Sequence, residues 1–111
     1  MPVRTEKKGS LVVCYVEGEI DINTAPDIKK AFDKLTSGRE AKILINLDRV
    51  AYIDSSGLAT LVEIFKNMRT YGGKMKISNM SSKVRSLFEI TKLDKLFDIS
   101  SSEEEAISSF I

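Results

Sequence analysis

Residues 50–59, Val-Ala-Tyr-Ile-Asp-Ser-Ser-Gly-Leu-Ala, concentrate the groups with chemistry to offer: the Asp54 carboxylate and the Ser55 and Ser56 hydroxyls, just ahead of Gly57. They lie between an apolar, strand-like run and a long amphipathic stretch, so they sit where a strand hands over to a helix. The first turn of a helix leaves backbone N–H groups unpaired and carries a partial positive charge, and short polar side chains belong there as caps. The same placement displays a serine hydroxyl beside a carboxylate, where another protein could modify it. A second polar group, Asp21, Asn23 and Thr24, precedes another amphipathic stretch.

The chemistries open to these residues are few. A serine hydrolase needs a base for the hydroxyl proton, usually histidine and sometimes lysine. The chain has no histidine, and Lys66 lies about three helical turns beyond Ser55. The nucleophile-elbow pattern Gly-x-Ser-x-Gly is missing as well. Asp21 and Asp54 could face a hard cation together, but two carboxylates without a loop of oxygen ligands fit structural roles better, so no metal is expected. No Gly-x-x-x-x-Gly-Lys phosphate loop occurs, and Gly72-Gly73 is a helix stop.

Seventeen basic and sixteen acidic residues among 111 give a formal charge of +1, without the basic excess of a nucleic-acid binder. Hydrophobic residues at 42% and charged residues at 30% describe a soluble globular domain. No run approaches the ~18 apolar residues needed to span a bilayer. The first six residues lack the apolar core of a signal peptide. The lone Cys14, inside an apolar run, is a small buried hydrophobe rather than half of an internal disulfide. These features imply a cytoplasmic protein with no direct nucleic-acid or membrane contact.

The elements that must position the polar groups follow from periodicity. Residues 3–8 form a charged edge strand, Gly9-Ser10 a turn, and residues 11–17 a strand buried on both faces, ended by Gly18. Thr24 fits a helix N-cap, with Pro26 in the first turn and Ile28, Ala31, Phe32 and Leu35 on one face. Residues 42–47 form a second core strand and Asp48-Arg49 a turn. From Ser56 to about residue 71, Leu58, Leu61, Val62, Phe65 and Met68 form a buried stripe. Residues 74–78 alternate as a strand. A helix follows with Val84, Leu87 and Phe88 inward, then a short final strand or extended piece at 95–99. Ser102 and Glu105 make a capping-box pair for a terminal helix ending at Phe110-Ile111. Strands alternating with helices indicate βα units, whose functional loops gather at the carboxyl ends of the strands. The Asp21–Thr24 and Asp54–Gly57 loops would then share one patch.

The run Ile53-Asp54-Ser55-Ser56-Gly57-Leu58, preceded by the strand at 42–47, resembles the central motif of the STAS domain. More narrowly, it resembles that of the stand-alone bacterial anti-sigma factor antagonists. Residues 18–25, Gly-Glu-Ile-Asp-Ile-Asn-Thr-Ala, resemble that family's first conserved loop. Gly72-Gly73-Lys74-Met75 and Val84-Arg85-Ser86-Leu87-Phe88 are similar to its later part. The resemblance covers nearly the whole chain. It implies one STAS-like domain over residues 1–111, of α/β class, with a mixed, mostly parallel sheet packed with about four helices.

By that resemblance Ser55 is the phosphorylated residue, and the chain has no catalysis of its own. The unphosphorylated form would bind an anti-sigma factor and free its sigma factor. That partner would also be the serine kinase, of the histidine-kinase-like ATPase class, so Mg-ATP belongs to it and this chain needs no cofactor. A metal-dependent PP2C-class serine phosphatase would restore the active form. Asp54 would orient Ser55 or contact the kinase, Ser56 would cap the helix, and Gly57 would allow close backbone approach. Asp21, Asn23 and Thr24 would complete the partner surface, Thr24 also as a cap. The free protein is expected to be a monomer. Two rivals are a STAS subunit of a larger signalling or transport assembly that is never phosphorylated, and a small nucleotide-binding protein or enzyme.

Overall fold

The computed structural model describes residues 3–110. Among them five strands form one sheet in the order β1 (Val3–Lys8), β2 (Leu11–Ile20), β3 (Lys42–Ile53), β4 (Lys74–Ser78) and β5 (Asp98–Ser100). β1 pairs antiparallel with β2, and the other pairs are parallel. Parallel neighbours need long crossovers, which α1 (Ala25–Ser37), α2 (Ser55–Arg69) and α3 (Ser82–Ile90) supply. These three helices pack on one face, while the short α4 (Glu103–Ser108) covers part of the other. The sheet centre is therefore buried on both sides. Ile43, Ile45 and Leu47 meet Phe32 and Phe88 in the larger core, whereas Leu44 meets Leu11, Val13, Ala106 and Phe110 in the smaller. Cys14 lies in the larger core, where burial pushes its thiol pKa up to about 12 and leaves it inert as a nucleophile.

β2 runs on through Gly18, where composition suggests an end, and β3 runs on through Asp48-Arg49, where it suggests a turn. Two β-bulges explain both differences. Tyr15 pairs with Asn46 and Glu17 with Arg49, then Gly18 pairs with Val50 and Glu19 with Tyr52, so β3 carries an extra residue at each step. An extra residue resets the alternation of inward and outward side chains. Leu47, Val50 and Ile53, three residues apart, thereby all reach the same core. Gly18 stands at the bulged stretch with φ +94°, a conformation glycine enters without a Cβ penalty. The two strands finish level, Ile20 opposite Ile53, and release their following loops side by side.

α2 buries Leu58, Leu61, Ile64 and Met68, while Val62 and Phe65 are only half-buried. Ile64, outside the expected stripe, enters the core because the helix packs between the sheet and α1 rather than on the sheet alone. The extended piece expected at 95–99 divides into a 3-10 turn, Leu93–Lys95, and β5. Between them Phe97 packs edge-on against Phe65 and Phe88, at 5.4 and 5.8 Å. The capping box of α4 is half made: Ser102 Oγ accepts from Glu105 N at 3.1 Å, but the Glu105 carboxylate takes the Ser101 hydroxyl instead. α4 ends at Ser108; Ile111, like Met1 and Pro2, lies outside the described residues. No helix among the described residues is long and apolar enough to cross a membrane.

α4 is held to the sheet through Glu103, which accepts from Asn46 Nδ2 at 3.0 Å and pairs with Lys8 Nζ at 3.1 Å. Burial alone would raise the Glu103 pKa, but bonds from Tyr15, Asn46 and Lys8 outweigh it and hold the carboxyl below its ordinary value. A carboxyl whose pKa is lower in the folded state stabilises the fold above its unfolded pKa and loses that contribution as pH falls through the folded value. Wild type should therefore exceed Glu103→Gln in stability at neutral pH, with the gap closing as pH drops below the ordinary value of 4.5. Denaturant unfolding at a series of pH values measures this. A gap independent of pH would remove the charge of Glu103 from the account.

Candidate functional site

The site forms where β2 and β3 end. Asp54 N donates to the Ile20 carbonyl at 3.0 Å, continuing the ladder by one bond beyond the strands. The Asp54 side chain then does two things. Its Oδ1 accepts from Gly57 N at 2.9 Å, capping α2, and its Oδ2 accepts from Ile22 N at 3.2 Å, tying down the loop that follows β2. The two polar groups singled out in the sequence are thus one patch, joined through a single carboxylate.

The first loop is folded on itself. Asp21 Oδ1 accepts from Asn23 N and Thr24 N, at 2.9 and 3.0 Å. The Thr24 N–H is the chief cause of an Asp21 pKa held below the ordinary aspartate value, so the carboxylate stays ionised at neutral pH. Thr24 occupies the N-cap position of α1, but its side chain does not cap the helix. Its hydroxyl accepts from Asp21 N at 3.0 Å and donates to Glu19 O at 2.8 Å, so it turns back toward the loop. Pro26 lowers the demand for a cap by having no N–H of its own. Asn23 stands exposed at the loop tip beside Ile22.

In α2 the cap is Asp54, not Ser56, because only Asp54 has the extended backbone that directs a side-chain oxygen back at the helix N–H groups. Ser56 lies within the first turn, half-buried, and its carbonyl accepts from Thr60 Oγ1 at 2.9 Å. Gly57 explains why the helix can start so close to β2. A Cβ there would lie 2.5 Å from the Ile20 carbonyl oxygen and 2.7 and 2.8 Å from methyls of Ile20 and Ile53. Ser55 is exposed and its hydroxyl makes no hydrogen bond among the described residues. With Gly57 N bound to Asp54 Oδ1 and Leu58 N to Asp54 O, the N–H groups of Ser55 and Ser56 remain open at the positive end of a fifteen-residue helix. Such an end receives anionic oxygens well.

The carboxylates of the patch are engaged mainly by the backbone of their own loops. Asp54 spends both of its oxygens, and Asp21 its Oδ1, on backbone N–H groups, and no cluster of three or more potential metal ligands occurs among the described residues. Two large apolar side chains near these loops are exposed: Ile22, at the tip of the first loop, is 69% exposed, and Tyr52, on β3 two residues before Asp54, 40%. Ile22 carried a signal, being the one large aliphatic residue in a loop of polar ones.

The family model described as STAS domain matches residues 2–106 of the chain. Among curated proteins, the anti-sigma-B factor antagonist of Bacillus subtilis is 36% identical over 92 residues, covering 83% of this chain and 84% of that protein. The anti-sigma-B factor antagonist of Listeria monocytogenes is 35% identical over 91 residues, covering 82% and 80%. Among solved structures, a Thermotoga maritima protein assigned as an anti-sigma factor antagonist superposes with a TM-score of 0.91 at 27% identity, over 96% of this chain and 92% of that one.

Two substitutions test the geometry. Gly57→Ala should cost about 1–3 kcal/mol, because the atoms around the new methyl are backbone and core branches that cannot swing away. Asp54→Ala should cost about 1 kcal/mol for the lost cap. It should also speed hydrogen exchange at the Ile22 amide, which Gly57→Ala leaves bonded to Asp54. Thermal unfolding and amide exchange by NMR read both, and unchanged protection at Ile22 in Asp54→Ala would break the link between the loops.

Proposed function

This chain belongs to the STAS domain family, and on that premise we propose that it is an anti-sigma factor antagonist switched by phosphorylation of Ser55. The observation that carries this reading is the Ser55 hydroxyl itself, exposed and unbonded at the start of α2, beside a loop held in place by Asp54. In the unphosphorylated state the patch docks an anti-sigma factor, which then releases its sigma factor. Asp21, Asn23, Thr24, Asp54, Ser56 and Gly57 shape that patch, and Ile22 and Tyr52 give it apolar area to bury. The docked anti-sigma factor is also the serine kinase, and it transfers the γ-phosphoryl group of Mg-ATP to Ser55. A PP2C-class phosphatase removes it. This chain supplies the acceptor and the surface, and the catalytic groups belong to its partners.

A phosphoserine adds about −1.5 to −2 charges at neutral pH. Within the free protein, the open N–H groups of Ser55 and Ser56 accommodate that charge. Across an interface the phosphate is bulky and stands beside carboxylates fixed by their own hydrogen bonds. Crowding of like charge with desolvation weakens the complex by a few kcal/mol, and each ~1.4 kcal/mol is tenfold in affinity. No rearrangement of the sheet is required.

Intact-mass and peptide mass spectrometry after incubation with an anti-sigma factor kinase and Mg-ATP tests the proposal. Wild type should gain one phosphate, Ser56→Ala should gain it too, and Ser55→Ala should gain none. Ser55→Ala should still bind the anti-sigma factor and should no longer be released by ATP. Absence of phosphate on every form, with binding retained, would favour a STAS subunit that works without the switch.

A further inference from the structure

The near-neutral chain hides a separation of charge along the strand direction. At the carboxyl ends of β2 and β3 gather Glu17, Glu19, Asp21, Asp27, Asp48 and Asp54, against two cations: Arg49, which pairs with Glu17 at 3.9 Å, and Arg4, which lines a recess with Glu17, Asp48 and Arg49. At the opposite end, where α1 and α2 finish and β3 and β4 begin, stand Lys34, Arg39, Lys42, Lys66, Arg69 and Lys74. The one carboxylate there, Glu40, is taken by Lys7 at 3.3 Å. None of the six cations makes an ion pair among the described residues.

Helix dipoles account for Lys34, Lys66 and Arg69, which lie in the last turns of α1 and α2. They do not account for Arg39, Lys42 or Lys74. Lys42 and Lys74 are direct partners in the β3–β4 ladder, a like-charge pairing that costs stability. A recess of about 310 Å³ opens between the ends of α1 and α2, lined by Thr36, Arg39, Asn67 and Thr70; the two threonine hydroxyls donate to the Asp33 and Asn67 carbonyls, which leaves Arg39 and the Asn67 amide to donate to a carboxylate.

We propose that this basic end docks the acidic end of a second copy of the chain, head to tail. An anionic polymer or lipid surface would satisfy only the basic pole, whereas a second copy brings a complementary end on which carboxylates outnumber cations and leaves each molecule within the row with both poles matched. The contact is heterologous, so it propagates rather than closing into a dimer. Its charges are exposed, which makes it weak and sensitive to salt. Because the acidic end carries Ser55, a neighbouring copy and any other partner of that face compete for it. The association itself does not depend on what that other partner is.

Sedimentation velocity on the full chain tests this, with two charge-reversed proteins whose folding is checked by thermal melts. Lys42→Glu with Lys74→Glu leaves the basic pole four of its six cations beside two new carboxylates; Glu17→Lys with Asp48→Lys leaves the acidic pole four carboxylates against four cations. Wild type should gain mass with concentration at low ionic strength and return to monomer at high. Each reversed protein alone should associate on the order of tenfold more weakly, or not at all. An equimolar mixture of the two should regain association. Wild type that stays monomeric at low salt overturns the proposal, including where it binds phosphatidylglycerol vesicles instead. So does association that survives reversal of Lys42 and Lys74, or a mixture that does not associate.

Discussion

The carboxylate of Asp54 is the constraint on which the site depends. Two backbone donors from different parts of the chain, Gly57 N in α2 and Ile22 N in the loop after β2, point at its two oxygens. Only a short side chain with an acceptor on each branch meets both. Asparagine would cap α2 with its oxygen and turn an N–H₂ group toward the Ile22 N–H, donor against donor. Serine or threonine would cap without reaching the second loop. Glutamate would lengthen the reach by a methylene in a gap already closed by Gly57.

That bridge is possible only because the two strands end level, which the bulges in β3 arrange. A regular ladder from Tyr15–Asn46 onward would bring Ile20 opposite Ala51, two residues before Ile53, and would carry Asp54 away from Ile22 by about two residues of strand. The bulges are held in turn by burial. Val50 and Ile53 are almost fully buried, and each extra residue is what points them inward after Leu47. The apolar core therefore sets the register, and the register sets the distance between the two loops.

The motif, the order of elements and the mixed sheet were legible in the sequence because each rests on local pattern: apolar alternation, helical stripes, Pro26 in a first turn and paired glycines at a helix end. The bulges were less so, since Leu47, Val50 and Ile53 at three-residue spacing match neither a strand nor a helix, and Gly18 with Asp48-Arg49 looks like punctuation. Capping roles were read from residue type alone. Thr24 and Ser56 are good caps by type, but the choice lies with backbone conformation and competing donors: Thr24 is drawn to Asp21 N and Glu19 O, and Ser56 is already inside the helix. Joining Asp54 to Ile22 spans thirty-two residues, a separation at which local pattern carries no information.

The fixed carboxylates also decide how charge added at Ser55 would be felt. A mobile carboxylate could swing away from a new phosphate and relieve the repulsion. Asp54 and Asp21 cannot do so without giving up two backbone hydrogen bonds each. Inside the free protein the helix end offsets part of that crowding through the Ser55 and Ser56 N–H groups, which stay hydrated until something covers them. A docked protein removes the water and brings its own groups against the same fixed charges, in a medium where they interact more strongly. The same interaction that builds the patch thus makes it intolerant of added negative charge when covered and tolerant when bare, which is the asymmetry a binding switch needs.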